Sequence, residues 1–381
     1  MGKKLVVFCH KMGKTNHYTT AEGFMRKRLK ILCIALTVVI LLAATCMAKA
    51  PLKAYLEENA QYGNYMDKDR QAYAVELLTT KHRLSLHEDS TFTVLILSDM
   101  HCEGADTADE IIANIKELVI REQPSLVIFT GDNTQEMRTK SALKKCIARL
   151  VAYIESRSIP WAHIYGNHDD EGLFVLSREA QQRVYESFDY CVSKEGENLR
   201  GVGSYVLPVF MHDSDQLAFN IWCLDSGTYQ DKNQNPDFIK KEQIEWYRYA
   251  SGLLSDYNGS TVPAIMTFHI PLPENAQAFQ QYEDAGLPYE GSKNEQICYP
   301  IWNSGMFSNV VEQGDVQIIV TAHDHCNDYA VEMDGVMLCA SATIGTSGST
   351  YYNSENAGAR VVKFDLQAQK QFTTYMSYLN P

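Results

Sequence analysis

Five apolar runs of this chain end in the same kinds of residue. "TFTVLIL" runs into Ser98-Asp99-Met100-His101, "SLVIFT" into Gly131-Asp132-Asn133, and "IPWAHIY" into Gly166-Asn167-His168-Asp169. "VPAIMTF" runs into His269-Ile270-Pro271, and "DVQIIVT" into Ala322-His323-Asp324-His325. Carboxylates, amides and imidazoles are poor strand formers and costly to bury unpaired. One such ending reads as a polar turn. Five in succession read as the walls of one site, because open α/β sheets place their sites beyond the carboxyl ends of the strands. Asp, Asn and His together supply the oxygen and nitrogen donors that Mn, Fe or Zn prefer.

The elements that must position these residues form a rhythm from Thr91 onward. "TADEIIANIKELVIRE" and "SALKKCIARLVAYIES" carry apolar residues at helical spacing between the first three strands. A further strand, "LAFNIWCLD", and a helix around "KKEQIEWYRYASGLL" precede the fourth ligand-bearing run. Strands alternating with helices imply a sheet covered on its faces. The C-terminal part reads as two hairpins, "YAVEMDGVMLCAS" turning at Asp334-Gly335 and "ARVVKFDLQAQKQFTTYMSYL". The expected fold is α/β, a sandwich of mixed β-sheets flanked by helices, over residues 91–381. Residues 51–90 are polar and helix-prone and read as a spacer. Pro273 to Gly305 reads as a long loop rich in Tyr, Asn and Gly, the expected source of substrate contacts.

Charge is unevenly spread. Residues 1–50 hold nine Lys/Arg and one Asp/Glu, a net of +8, so a chain total of −13 leaves −21 on residues 51–381. A body that acidic is a poor nucleic-acid binder, since such binding neutralises phosphates with Lys and Arg. Residues 1–30 form a basic N-terminal segment ending in "MRKRLK", and Ile31 to Ala48 follow without a charge. As a helix that run of 18 residues spans about 27 Å, close to a bilayer core. The pair reads as a signal sequence or a transmembrane anchor with its basic side in the cytoplasm. The catalytic body is then expected outside the cytoplasm, held at the cell membrane, or secreted if the segment is cleaved. Seven of the ten Cys lie beyond this segment. Their odd number and lack of CxxC spacing argue against a disulfide framework or a zinc knuckle and leave room for one disulfide.

The five blocks resemble the calcineurin-like metallophosphoesterase superfamily, whose pattern is DxH, GD, GNH(D/E), H and GHxH in that order. "FTGDN", "YGNHDDE", "FHIPLPE", "NSGMF" and "HDHCNDY" look like its purple-acid-phosphatase-like branch. The resemblance runs from about Phe92 to Ser341. It implies two metal ions, with Asp99, His101 and His325 on one, Asn167, His269 and His323 on the other, and Asp132 bridging them. It implies further that His168 faces the substrate, as a phosphate contact or a proton donor, and that Asp169 orients it. Two positions depart from the pattern. Ala322 stands where the family has Gly, and Gln135 stands where purple acid phosphatases carry the tyrosine that binds ferric iron, so a ferric–tyrosinate centre is not expected.

The implied activity is hydrolysis of a phosphorylated small-molecule or macromolecular substrate, with hydroxide between two metals attacking phosphorus directly. A phosphomonoesterase is the leading reading; a phosphodiesterase and a non-catalytic binding module are the alternatives. Other residues draw the eye without matching a ligand position. His163 lies inside a strand and reads as core or as support for the ligands, Cys102 and Cys326 merely adjoin ligand blocks, Asp324 points away between two ligands, and Asp225 is a pocket residue or an ordinary strand end.

Overall fold

The computed structural model describes residues 63–103, 105–345 and 356–379. The basic segment and the apolar run Ile31–Ala48 lie outside the described residues. Among the described residues no helix is long and apolar enough to cross a membrane.

Two sheets face each other. The smaller holds β2 (Thr91–Leu97), β3 (Leu126–Thr130) and β4 (Trp161–Ile164), all parallel, and continues from β2 into the antiparallel hairpin β11 (Gly358–Asp365) and β12 (Phe372–Tyr378). The larger runs β1 (Leu84–Ser85), β5 (Tyr205–Phe210), β6 (Leu217–Cys223), β7 (Ala264–Thr267), β8 (Val316–Thr321), β10 (Val336–Ala340) and β9 (Ala330–Met333). Within it β6, β7, β8 and β10 are parallel, while β5–β6 and β9–β10 are antiparallel. All five ligand-bearing strands therefore belong to parallel stretches, two or three in each sheet, and end at the same rim.

The sequence of β2 shows how the layers form. Phe92, Val94 and Ile96 enter the core between the sheets, whereas Leu95 and Leu97 pack under the helices on the other face. A strand buried on both faces must be apolar throughout, which is why "TFTVLIL" shows no alternation. Between the sheets Phe219 meets Phe92, Phe364 and Phe372 at ring distances of 5.5, 4.7 and 5.4 Å. Phe219→Ala would remove that junction at a cost of about 3–5 kcal/mol. Helices α2 (Ala105–Glu122), α3 (Lys140–Leu150), α4 (Ala152–Ser156) and α5 (Arg178–Tyr185) cover the smaller sheet. Helix α3 is capped by the Thr139 side chain, which accepts from the Ala142 amide, and buries Leu143, Cys146, Ile147 and Leu150.

Both C-terminal hairpins fall where the sequence places them. The turn between β9 and β10 has Asp334 at φ 48° and Gly335 at φ 83°, the left-handed pair that suits Asp-Gly. Two expectations need correction. The spacer over 51–90 does not hold for residues 63–90: helix α1 (Arg70–Leu78) buries Tyr73, Ala74 and Leu77, and β1 extends the larger sheet beside β5. The Trp246 indole donates to the Tyr73 hydroxyl at 2.7 Å, fastening α1 to α6 (Lys241–Asn258). The helix agrees with the helix-prone reading of this stretch; its packing into the core was not expected, and a two-residue strand carries too little periodicity to be seen in sequence. The second correction concerns Pro273–Gly305. It begins as helix α7 (Pro273–Ala285), with Pro273 at its first turn and the Asn275 side chain accepting from the Leu272 amide. A proline at that position starts a helix rather than breaking one.

Candidate metal centre

The first two ligand loops are joined through their backbones. Asp99 donates its amide to Gly131 O at 3.2 Å, and His101 donates to Asp132 O at 2.8 Å. Asp99, His101, Asp132 and His323 have φ of 52°, 41°, 48° and 72°. Non-glycine residues enter this left-handed region at a cost of about 1 kcal/mol or more each, and such strain gathers where function requires it. Two glycines admit the close packing. A Cβ on Gly131 would collide with the His269 ring, and one on Gly166 with the Asp132 carboxylate. Only glycine permits either approach.

Asp99, His101 and His325 present donor atoms that all lie within 4.8 Å of one another, and so do Asp132, His269 and His323. Asp132 Oδ2 stands 3.2 Å from His269 Nε2 in its own group and 3.6 Å from His101 Nε2 in the other, so one carboxylate reaches both. Asn167 Oδ1 lies 3.1 Å from His269 Nε2 and adds an amide oxygen to the second group. His269 donates from Nδ1 to the Thr130 carbonyl at 3.0 Å, which turns Nε2 toward Asp132 and Asn167. The sequence-predicted set of seven is thus assembled in one place.

The electrostatics suit a cation. Both oxygens of Asp99 are buried without a hydrogen-bond partner, and burial pushes its carboxyl up to about 8. Burial, together with the charge of neighbouring histidines, lowers His323 and His325 to about 3, and burial lowers His101 as well. Burial opposes charge on His269 too, but the adjacent Asp132 outweighs it and holds the imidazole up to about 9. The same pairing holds Asp132 well below the usual carboxylate range despite its burial. Neutral imidazoles around ionised or orphaned carboxylates are the donors a divalent metal takes, and a metal on His269 would displace its Nε2 proton. The residues present therefore fit two such ions, and the O/N donor set fits Mn, Fe or Zn.

His168 stands outside both groups. Its amide donates to Asp132 Oδ1 at 2.8 Å, and its ring lies 5.2 Å from that of His101. Its Nδ1 pairs with the Glu171 carboxylate. The expected orienting role of Asp169 is corrected. Asp169 Oδ1 accepts from the amides of Asn133 at 3.0 Å and Thr134 at 2.9 Å, and Oδ2 from the Gly166 amide at 2.8 Å. It ties the Gly131-Asp132 and Gly166-Asn167 turns together, while the side chain of Glu171, two residues further on, comes back to the imidazole. Burial, reinforced by Asp132, raises its carboxyl to about 7.

The remaining residues fall into place. His163 is a core residue, stacked on Tyr185 at 3.5 Å with Nδ1 2.8 Å from Ser193 Oγ. Asp324 turns away to accept from the Cys298 amide at 3.0 Å and from Asn327 at 3.2 Å. Asp225 accepts from Arg178 at 2.6 Å and from the amides of Val202 and Gly227 at 2.8 Å each. Cys102 and Cys326 belong to neither donor group. Ala322 is not among the residues of positive φ; the left-handed position falls one residue later, at His323, so alanine is tolerated there. Three contributors are missing from the sequence reading. Glu171 was visible as a carboxylate three residues after His168. Tyr229, whose hydroxyl accepts from Asn167 Nδ2 at 2.8 Å, and Arg178, which donates to the Gly166 carbonyl, come from segments with no motif.

This geometry meets its counterpart among known proteins. The chain belongs to the calcineurin-like phosphoesterase family, which it matches over residues 92–327, more than half its length. That family carries a dimetal centre, and its relatives here place the chain on the purple-acid-phosphatase-like branch. It is 27% identical to probable inactive purple acid phosphatase 14 of Arabidopsis thaliana, over 76% of this chain and 79% of the relative. It is 29% identical to probable inactive purple acid phosphatase 29 of the same plant, over 76% and 81%. It is 26% identical to Phosphatase DCR2 of Saccharomyces cerevisiae, over 67% of this chain but 48% of the relative. Among solved structures, a dimetal phosphatase from Danio rerio shares the fold with a TM-score of 0.50 at 13% identity, covering 75% of this chain and 98% of that one.

Proposed function

We propose that the chain is an extracytoplasmic, binuclear-metal-dependent phosphomonoesterase. One observation carries the reading of activity: Asp132 serves both donor groups with its carboxylate while its other oxygen anchors the backbone of His168. The ion-holding residues and the group that can exchange a proton are thereby fixed to one side chain. Asp99, His101 and His325 would hold one ion, His269, His323 and Asn167 the other, with Asp132 shared. Bound there, such ions would polarise phosphoryl oxygens and acidify water.

The chain's own residues supply the rest. Glu171 accepts from His168 Nδ1 and holds the imidazole in place, which leaves Nε2 as the nitrogen that can give a proton to the departing alcohol oxygen. The hydrogen bond from the His168 amide to Asp132 fixes the backbone beside the ion-holding groups, and Glu171 fixes the ring. Asp169 keeps the two glycine turns in register beneath them.

A non-catalytic reading has one observation in its favour, the word "inactive" in the names of plant relatives. The intact donor groups and the His168–Glu171 pair weigh against it. The test is turnover of p-nitrophenyl phosphate and bis(p-nitrophenyl) phosphate by protein reconstituted separately with Mn, Fe and Zn. Preference for the monoester is expected. Preference for the diester makes the chain a phosphodiesterase, and no turnover of either by metal-loaded protein makes it a binding module. Location rests on the basic segment and the apolar run Ile31–Ala48. Protease protection of a C-terminal tag should show the body outside the cytoplasm, and a tag protected with cytoplasmic markers would contradict it.

A further inference from the structure

We propose that Cys102 and Cys146 become a disulfide when the chain folds under oxidising conditions, and that this bond clamps the loop of Asp99 and His101 onto helix α3. The two sulfurs lie 2.7 Å apart. That separation is nearer to a sulfur–sulfur bond of about 2.05 Å than to the contact of a weak thiol donor and acceptor. Both side chains are buried, at 0% and 6% exposure, so the approach is not a chance meeting of surface groups. Cys146 sits on the inward face of α3 with Leu143, Ile147 and Leu150.

The other half of the pair explains why the site would benefit. Cys102 follows His101 directly, its amide donates to Asn133 O at 3.2 Å, and its carbonyl accepts from the Gln135 amide at 3.3 Å. It is therefore the point where the first ligand loop is laid against the second. Asp99 and His101 hold left-handed backbone conformations that the surroundings must enforce. A covalent tie at the next residue, across a sequence separation of 44, restrains that loop in the folded state and shortens the unfolded chain.

In the reaction each thiol loses its hydrogen and the two sulfurs form one bond. Two electrons and two protons pass to a small-molecule disulfide such as oxidised glutathione, which leaves as two thiols. The contact with Cys102, reinforced by burial, pushes the Cys146 thiol far up, so the folded pair is inert to exchange and the bond forms before the core closes. An oxidising compartment, and hence the proposed export, is where this happens in the cell.

The test uses the full chain in two samples. One is recovered from cells without reductant; the other is reduced, denatured and refolded with oxidised glutathione. Both are alkylated with iodoacetamide while denatured and mapped by mass spectrometry. A linked Cys102–Cys146 peptide pair in both is expected. The pair in the glutathione sample alone keeps the bond and contradicts export instead. Full alkylation of both residues in both samples, or either residue bonded to another cysteine, overturns the proposal. Cys146→Ser tests the clamp. It should melt about 5 °C or more below the oxidised protein but level with the reduced one. It should also release metal to EDTA several-fold faster. Melting and metal release equal to those of the oxidised protein would overturn the clamp.

Discussion

The Arg178 cluster and the Asp99–Asp132 cluster both hold charge away from water, in opposite ways. Arg178 spends its guanidinium on Asp225 at 2.6 Å, Asp170 at 3.1 Å and the Gly166 carbonyl, while Asp225 collects two backbone amides besides. Every group there finds its partner within the chain. In the other cluster the two oxygens of Asp99 accept no hydrogen bond, two histidines are held neutral by burial, and four of the seven residues sit in strained backbone conformations. A folded chain keeps an incomplete polar cluster only where something outside the chain completes it. The comparison thus separates a fastening from a socket, although both sit at the base of the same Gly166 turn.

The sharpest contrast lies in what neutralising one member does. Arg178→Met strands Asp225 as a buried unpaired charge and should lower stability by about 3–5 kcal/mol, metal or no metal, in urea unfolding. Asp99→Asn should do the reverse in chelated protein, raising stability by about 1–2 kcal/mol. The pH dependence has a definite sign. Burial holds the Asp99 carboxyl at about 8 in the folded chain, against about 3.8 for a carboxyl in water. Ionised Asp99 therefore costs the metal-free protein nothing below the lower value and increasingly more as pH rises toward the upper one. The wild-type deficit relative to Asp99→Asn should open across that window. A deficit that closes with rising pH, or an Arg178→Met protein of unchanged stability, would erase the distinction.

Next in size is the separation of the proton-transfer pair from the socket. His168→Ala should keep both metals while turnover falls by about 10²-fold, more for alkyl than for aryl phosphates, since aryl leaving groups need little protonation. Glu171→Gln should give about a tenfold loss with the same leaving-group pattern, because it disturbs the imidazole without removing it. Asp169→Asn should instead loosen metal retention. Metal loss in His168→Ala would make it a ligand, and an equal rate drop for every leaving group would make it a phosphate contact. The smallest effect is expected at Tyr229. Its phenol holds the Asn167 amide so that Oδ1 faces His269. Tyr229→Phe should leave the ion of the Asp99–His101–His325 group unchanged and lower affinity at the second group by about fivefold, the worth of one hydrogen bond. Calorimetric titration with Zn²⁺ reads this, and identical isotherms would show that Asn167 needs no such support.

What was legible beforehand follows from how each feature is encoded. The ligands sit at the ends of continuous apolar strands, so the pattern of strand then donor repeats five times and exposes the site. The Asp-Gly hairpin announces itself by residue type. The docking of helix α1 and the strand β1 do not, although the stretch read as helix-prone, since the helix is placed by the bond from Trp246 to Tyr73 rather than by periodicity. The inward turn of Asp169 and the approach of Tyr229 depend on side-chain direction and on a loop that arrives from another sheet, neither of which adjacency in sequence conveys. The four left-handed residues are likewise invisible, because Asp and His carry no mark of the backbone conformation that the fold imposes on them.

Metal stoichiometry tests the socket most directly. The chain, stripped with chelator and titrated in turn with Mn²⁺, Fe²⁺ and Zn²⁺, should take up two ions of at least one metal per molecule. Its melting temperature should rise with each, and a hundredfold excess over the dissociation constant corresponds to about 2.7 kcal/mol of added stability per site. Asp132→Asn should lose both ions together, since its carboxylate reaches both groups. Uptake of one ion or none of every metal, with no change in melting, would contradict a binuclear centre built from Asp99, His101, Asp132, Asn167, His269, His323 and His325.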